Sequence, residues 1–214
     1  MKCIAVGNKK GGVGKTTIAV NIACEMASRD KSVILLDLDE QKSATDWAKS
    51  GKLPIQSQTF PVENQNDAEQ FIRYTKNLTA DLLIIDLPPH TNEATEASLI
   101  ICDLFLIPVT PSGADFVATS KAIALMQKTR AIRNGQPQCL LVPSRVDRRT
   151  SFGKEISDAL QGFHEPISSG VGQRSAFVDC FGLGDWIGHA YPKSIAYQEI
   201  KVVGNQIEEV IYGS

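Results

Sequence analysis

The chain has 214 residues, of which 43% are hydrophobic and 21% are charged, and these values are typical of a folded globular protein. The 22 basic and 24 acidic residues give a net charge of -2, which argues against a surface coated with positive charge for nucleic acid. No run approaches the roughly 18 apolar residues that cross a bilayer, and the 5 cysteines lack the spacing of a zinc or redox site. We therefore expect a single cytoplasmic domain over residues 1–214 with one hydrophobic core.

The positive charge is unevenly distributed along the chain. Residues 116–150 contain seven Lys and Arg residues against one acid, Asp147, so this stretch carries +6. Because the whole chain carries -2, the remaining residues carry -8. An asymmetry of this kind can mark the surface that meets a partner.

Short apolar runs alternate with longer segments of helical character. Runs rich in Val, Ile and Leu predict strands at residues 3–6, 32–37, 82–86, 104–109 and 139–143. The intervening helices are predicted at residues 16–28, 67–76, 92–101 and 115–133. Continuously apolar strands that alternate with helices are typical of the α/β class, with a mostly parallel sheet and helices on both faces. Residues 161–192 are Gly-rich and predict irregular structure.

The carboxyl-terminal segment, residues 194–212, regains helical periodicity. One apolar stripe is formed by Ala196, Ile200, Val203, Ile207 and Val210. This pattern favours a helix that closes the core. The alternative, an amphipathic helix that lies on a membrane, requires a basic polar face, whereas this segment offers Lys201 against three glutamates. We therefore expect no membrane partner.

A glycine-rich loop follows the first predicted strand and precedes the first predicted helix. Its glycines allow the backbone to turn tightly and to direct N–H groups at phosphate oxygens, and the positive end of the helix adds to this attraction. Lys15 can reach the β- and γ-phosphates of a nucleotide, and the Thr16 hydroxyl can bind Mg²⁺. The predicted nucleotide-binding residues of the loop are Lys10, Gly11, Gly12, Val13, Gly14, Lys15, Thr16 and Thr17.

Acidic residues follow two other predicted strands. The hydrophobic run over residues 82–86 ends in Asp86, a Walker B pattern whose carboxylate is expected to hold Mg²⁺. Asp37 and Asp39 follow the second predicted strand. From the residues alone, either of them could instead end the strand or cap a helix predicted at residues 43–48.

The loop over residues 10–17 resembles the deviant Walker A motif of the ParA/MinD family of ATPases. Residues 37–41 resemble the family's DxDPQ segment, with Glu40 in place of the proline, and residues 86–89 resemble its switch II. The resemblance implies a single-domain P-loop NTPase that binds ATP or ADP with Mg²⁺ and hydrolyses ATP. It also implies an ATP-sandwich homodimer in which Lys10 crosses the interface to touch the partner's phosphates.

The same resemblance assigns roles to further residues. Lys10, Lys15 and Asp39 are implied as catalytic, with Asp39 orienting the attacking water and reaching the Mg²⁺ shell. Asp37 is expected to support the loop. Ser144 and Arg145 are implied as contacts to the base or ribose, and His90, in the switch II turn, is assigned no chemistry.

ParA-type members of the family bind DNA nonspecifically as ATP dimers and segregate plasmids, chromosomes or other cargo. A ParB-like protein or another small adaptor stimulates hydrolysis and release. The resemblance therefore implies a nucleoid-associated ATPase of this kind. Nonspecific binding requires Lys and Arg contacts to phosphates. The candidates are Lys128, Arg130, Arg133, Arg148, Arg149, Arg174, Lys193 and Lys201.

Two alternatives of other classes remain. The first is a MinD-like, membrane-associated spatial regulator, which the acidic character of residues 194–212 disfavours. The second is a metabolic enzyme on the same scaffold, such as an amidoligase or a nitrogenase-reductase relative. The absence of paired cluster cysteines and the short chain disfavour this second alternative.

Overall fold

The computed structural model describes residues 1–89 and 93–213, and these residues form a six-stranded parallel sheet between two layers of helices. The strands are β1 (Lys2–Val6), β2 (Val33–Asp37), β3 (Gln56–Thr59), β4 (Leu82–Asp86), β5 (Leu104–Val109) and β6 (Gln138–Pro143). Their order across the sheet is β3-β2-β4-β1-β5-β6, so β4 and β1 occupy its centre. The predicted fold class is confirmed.

The helices are divided between the two faces of the sheet. One layer contains α1 (Lys15–Ala27), α2 (Ser43–Ala48), α7 (Ser175–Leu183), α8 (Ile187–Ala190) and α9 (Ile195–Tyr212). The other contains α3 (Gln65–Lys76), α4 (Glu93–Ile101), α5 (Gly113–Ile132) and α6 (Ser151–Gln161). Along β1, Ile4 and Val6 pack against the first layer, whereas Cys3 and Ala5 pack against the second. The central strands are apolar except for Lys2 at the start of β1 and Asp86 at the end of β4, because helices cover both of their faces.

β3 is the strand that the apolar pattern did not predict. Its sequence, Gln-Ser-Gln-Thr, is polar, and its residues alternate between exposed and half-buried. β3 lies at the edge of the sheet, and β2 is its one partner among the described strands. A search for continuously apolar runs detects strands that are covered on both faces, so it misses a half-exposed edge strand of this kind.

The prediction of irregular structure over residues 161–192 is wrong, because this stretch contains α7 and α8. Gly184, with a φ of 62°, ends α7, as glycines in the left-handed conformation commonly do. Before α7, the chain runs beside β6, where Ile167 and Gly172 form isolated parallel bridges with Leu141 and Val146. The glycines of this region therefore end helices and allow close approaches instead of preventing regular structure.

The carboxyl-terminal helix is present as α9. Four residues of the predicted stripe are buried and Val210 is half-buried, all of them in the layer that contains α1. The stripe therefore closes the core, as the periodicity predicts. Across residues 1–89 and 93–213, no helix has the length and apolar character that are needed to cross a membrane.

Candidate nucleotide-binding site

Three neighbouring strands bring the predicted site residues to one edge of the sheet. Asp37, the last residue of β2, lies in register with Asp86, the last residue of β4. Asp86 is in turn in register with Val6, which ends β1 and directly precedes the glycine-rich loop. In parallel α/β sheets, ligands bind at the carboxyl ends of the strands. The loop and the two aspartates therefore meet where such a ligand is expected.

The glycine-rich loop has a backbone that only glycine adopts easily at two positions. Gly12 and Gly14 have φ angles of 77° and 90°. A Cβ atom on Gly14 would also lie 2.9 Å from Ser144 Oγ, so this position is restricted in space as well. α1 begins at Lys15, immediately after the loop. The free N–H groups at the start of α1 thus adjoin the loop, and this arrangement attracts phosphate.

The Lys15 ammonium lies inside this site. Lys15 is buried, and its Nζ donates a hydrogen bond to the backbone oxygen of Lys10 at 3.2 Å. Burial lowers the pKa of Lys15, and the nearby carboxylates of Asp86 and Asp39 oppose that shift. Lys15, Asp39 and Asp86 come from separate segments of the chain, and the two carboxylates lie close enough to act on the Lys15 ammonium.

Thr16 and Asp86 form the pair that is expected to bind Mg²⁺. The Thr16 hydroxyl donates to Asp86 Oδ2 at 2.7 Å. Asp86 is 1% exposed, and its other oxygen, Oδ1, is buried without a hydrogen-bond partner among residues 1–89 and 93–213. Burial raises the pKa of Asp86 to about 7; the Thr16 hydrogen bond opposes the rise, and the carboxylate of Asp37 adds to it. A hard cation would satisfy the orphaned oxygen and offset the cost of the buried charge, so these residues fit Mg²⁺.

Asp37 and Asp39 have different environments although they are two residues apart. The fully buried Asp37 carboxylate accepts hydrogen bonds from the N–H groups of Thr45, at 2.9 Å, and Asp39, at 3.1 Å. It therefore caps the start of α2 and holds the loop in place. Asp39 is half-buried, and its Oδ1 accepts from the Gln41 N–H at 3.0 Å. A water molecule can therefore reach the Asp39 carboxylate. His90 lies outside the described residues.

Ser144 and Arg145 lie against the glycine-rich loop. Ser144 is buried beside Gly14, and Arg145 Nη1 donates a hydrogen bond to the Gly12 backbone oxygen at 2.8 Å. Arg145 has a φ of 52°, a conformation that a non-glycine residue keeps only where its surroundings hold it. Both residues brace the loop, and their contact with a base or ribose stays a prediction.

The second loop lysine, Lys10, is directed at its own chain. Its ammonium forms an ion pair with Asp115 and donates a hydrogen bond to Ser112 Oγ at 3.3 Å. Asp115 is not among the site residues that the sequence motifs predict. The available signal was a Ser-x-x-Asp pattern at residues 112–115, which predicts a residue that caps its own helix. Only the packing of α5 beside the loop shows that Asp115 meets a lysine.

The predicted DNA-binding residues differ in how far contacts within their own chain already hold them. Four are held by groups of their own chain: Arg130 by Glu165, Arg133 by the Leu99 and Cys102 carbonyls, Arg149 by Asp147, and Arg174 by Glu199. Lys201 lies over the Tyr197 ring, 5.6 Å from its centroid. Lys128, Arg148 and Lys193 are exposed, and no ion pair or hydrogen bond reaches them from the part of the chain that the structure describes. The free positive charge is therefore smaller than the sequence predicts.

A glycine-rich loop after the first strand of a parallel sheet, with acids at the ends of two neighbouring strands, defines a P-loop nucleotide-binding protein. Residues 1–83 match the family model described as an AAA domain. The fold is similar to that of the MinD cell division protein of Aquifex aeolicus, with a TM-score of 0.78 and 19% identity over 97% of this chain and 96% of that chain.

Two relatives narrow this class. The chain is 30% identical over 204 residues to the chromosome partitioning protein ParA of Myxococcus xanthus, a match that covers 76% of this chain and 71% of the relative. It is 29% identical over 198 residues to the maintenance of carboxysome distribution protein A of Halothiobacillus neapolitanus, with coverage of 85% and 87%. The chain belongs to the ParA/MinD family, whose members are P-loop ATPases.

Proposed function

We propose that this protein is a positioning ATPase that forms an ATP-sandwich dimer, binds DNA nonspecifically and leaves it when an adaptor protein stimulates hydrolysis. Its cargo is a plasmid, a chromosome or a protein assembly. The observation that carries the proposal is the pair of lysines in one loop. Lys15 is directed into its own site, whereas the side chain of Lys10 lies at the surface and is 40% exposed. The names of the two relatives, for chromosome partitioning and carboxysome distribution, support a positioning role.

The chain's own residues account for nucleotide binding and for control of the attacking water. The N–H groups of the loop and of the start of α1 hold the phosphates, and Lys15 neutralises their charge. Thr16 and Asp86 would hold Mg²⁺, which supplies further neutralisation of the phosphates when it is bound. Asp39 accepts a hydrogen bond from the attacking water and orients it.

The role of Asp39 leads to a prediction about hydrolysis. Asp39→Ala should slow phosphate release by roughly 100-fold while ATP affinity stays within a few-fold of wild type, because the water loses its acceptor and the phosphate cradle stays intact. Phosphate release and equilibrium ATP binding measure the two effects. Glu40→Ala is the matched control, since Glu40 is the exposed neighbour of Asp39. Undiminished hydrolysis by Asp39→Ala would remove Asp39 from the catalytic residues.

The proposed DNA binding depends on cations that the fold leaves available. Lys128, Arg148 and Lys193 are exposed and can contact phosphates without first breaking an ion pair. A dimer presents two copies of each cation, so ATP-driven dimerisation raises DNA affinity through avidity. The MinD-like alternative would need an apolar helix face for the bilayer. In α9 that face is buried in the core.

Binding to random-sequence duplex DNA and to anionic liposomes, over a salt series with and without ATP and Mg²⁺, tests this proposal. We expect ATP-dependent binding to DNA that weakens steeply with salt, and no binding to liposomes. Each lost phosphate contact lowers the salt slope by about 0.9, and the dimer carries two copies of each cation. The slope should therefore fall by about 1.8 in any of Lys128→Gln, Arg148→Gln and Lys193→Gln that removes such a contact. Lys76→Gln on α3 is the control for a general loss of positive charge. Liposome binding without DNA binding would instead support the MinD-like alternative.

A further inference from the structure

Asp115 has a fully buried carboxylate that depends on the Lys10 ammonium as its counter-charge. Asp115 is 0% exposed, and neither carboxylate oxygen has a hydrogen-bond partner among the described residues. Its ion pair is with Lys10, whose side chain is 40% exposed. A buried carboxylate without a counter-charge is costly. Asp115 therefore holds the Lys10 ammonium strongly in this conformation.

The local structure shows that Asp115 does not cap its own helix. Ser112 forms one half of a capping box, because its hydroxyl accepts a hydrogen bond from the Asp115 N–H at 3.3 Å. The reciprocal half is absent, because the Ser112 N–H donates to the Thr110 carbonyl at 2.7 Å. The Asp115 carboxylate is thus available to Lys10. Ser112 adds to this contact, since its Oγ also accepts a hydrogen bond from the Lys10 ammonium.

The backbone of the loop is anchored to the same part of the fold. The buried Asn8 side chain donates hydrogen bonds to the Pro108 carbonyl at 2.7 Å and to Thr119 Oγ1 at 3.3 Å. Its Oδ1 accepts from the Lys10 N–H at 3.4 Å. Thr119 lies one helical turn after Asp115, and both are fully buried in α5. α5 and the end of β5 therefore hold Lys10 through both its backbone and its side chain.

We propose that Asp115 is a counter-ion within the same chain that opposes dimer formation by competing with the partner's nucleotide for Lys10. This inference rests on the proposed function, in which Lys10 reaches across the interface. One ammonium cannot lie against the buried Asp115 and against the partner's phosphates at the same time. Lys10 must leave a desolvated carboxylate before it crosses. Asp115 therefore raises the protein concentration at which ATP drives dimerisation.

The test is the oligomeric state of Asp115→Asn, measured by sedimentation with Mg²⁺ and a non-hydrolysable ATP analogue over a range of protein concentrations. We expect the variant to dimerise at about tenfold lower concentration than wild type, because the neutral amide competes less well for Lys10. Asp147→Asn is the matched control, since Asp147 pairs with Arg149 near the same loop and does not contact Lys10. The double variant Lys10→Ala, Asp115→Asn should remain monomeric.

The outcomes separate this inference from the proposed function. A wild-type dimer together with an unchanged or weaker Asp115→Asn dimer would contradict the counter-ion role, and a weaker dimer would show that Asp115 orients Lys10 for its crossing. If neither protein dimerises with the analogue, the proposed function and the counter-ion role both fail.

A second measurement on the wild-type protein covers the case in which Asp115→Asn does not fold. In the nucleotide-free monomer, we expect an amine-acetylating reagent to modify Lys10 several-fold more slowly than its exposed neighbour Lys9, because the ion pair and the Ser112 hydrogen bond occupy the Lys10 ammonium. Mass spectrometry of proteolytic fragments distinguishes the two sites. Equal rates would contradict the counter-ion role.

Discussion

Lys15→Ala should weaken ATP binding by a factor of at least about 100, because the substitution removes an ammonium that lies among the site carboxylates. In the structure the Lys15 ammonium is buried near Asp39 and Asp86 and donates to the Lys10 carbonyl. Without it, an incoming triphosphate meets two carboxylates with no intervening ammonium. Isothermal titration with ATP and Mg²⁺ measures the loss directly.

Lys9→Ala is the matched control for this loss. Lys9 lies in the same loop but is exposed. Its removal takes away one positive charge without changing the phosphate cradle, so ATP affinity should stay within a few-fold of wild type. Retention of micromolar ATP affinity by Lys15→Ala would contradict the assignment of the loop. Thermal unfolding of both variants without nucleotide shows whether either one has lost its fold.

Asp86→Asn should abolish Mg²⁺-dependent ATP hydrolysis and, at the same time, stabilise the nucleotide-free protein above pH 7. The pKa of Asp86 is raised to about 7 by burial, from an ordinary value near 3.8. Between pH 4 and 7 the folded state holds a proton that the unfolded state releases. The free energy of unfolding therefore falls as the pH rises through this window, and above pH 7 the folded state carries a buried charge. The amide cannot ionise, so it avoids this cost.

Urea unfolding at pH 5 and pH 8 measures this effect. At pH 8 the free energy of unfolding of Asp86→Asn should exceed that of wild type by on the order of 2 kcal/mol, and the difference should shrink towards pH 5. Asp37→Asn is the comparison variant. Burial raises the pKa of Asp37 as well, but hydrogen bonds from the N–H groups of Thr45 and Asp39 oppose that rise. The Asp37 amide loses a charged acceptor of these bonds, so Asp37→Asn should stabilise the protein less than Asp86→Asn does at pH 8. An Asp86→Asn variant less stable than wild type at pH 8 would contradict this account.

The positions of the phosphate loop and of the two strand-end acids could be predicted from the sequence. A glycine-rich segment that follows an apolar strand and ends in Lys15 and Thr16 is typical of a phosphate-binding loop. Asp86 can be recognised because it ends an apolar run, and that run is apolar because helices cover both faces of β4. Local patterns of this kind depend on neighbouring residues only. The polar edge strand β3 and the helices α7 and α8 could not be predicted in this way, because they pack against segments that are distant in the chain.

The state of individual charges could not be predicted from the sequence. Arg130 and Glu165 are far apart in the chain yet form a doubly hydrogen-bonded pair, which removes Arg130 from the freely available cations. Arg133 donates to two backbone carbonyls at the end of α4 and beyond it. The net charge of the chain includes these arginines, but their contacts within the chain determine how much of that positive charge a partner can reach.

A parallel α/β core with a deviant P loop could be predicted from the sequence alone, because apolar runs, glycine spacing and the adjoining lysines are local properties of the chain. The tertiary structure determines which charges lie close enough to act on one another. It brought Asp37 and Asp86 into register on neighbouring strands, and it placed Asp115 of α5 against Lys10, 105 residues earlier in the chain. Electrostatic coupling depends on distance in space and on burial, and neither quantity can be obtained from the order of residues alone.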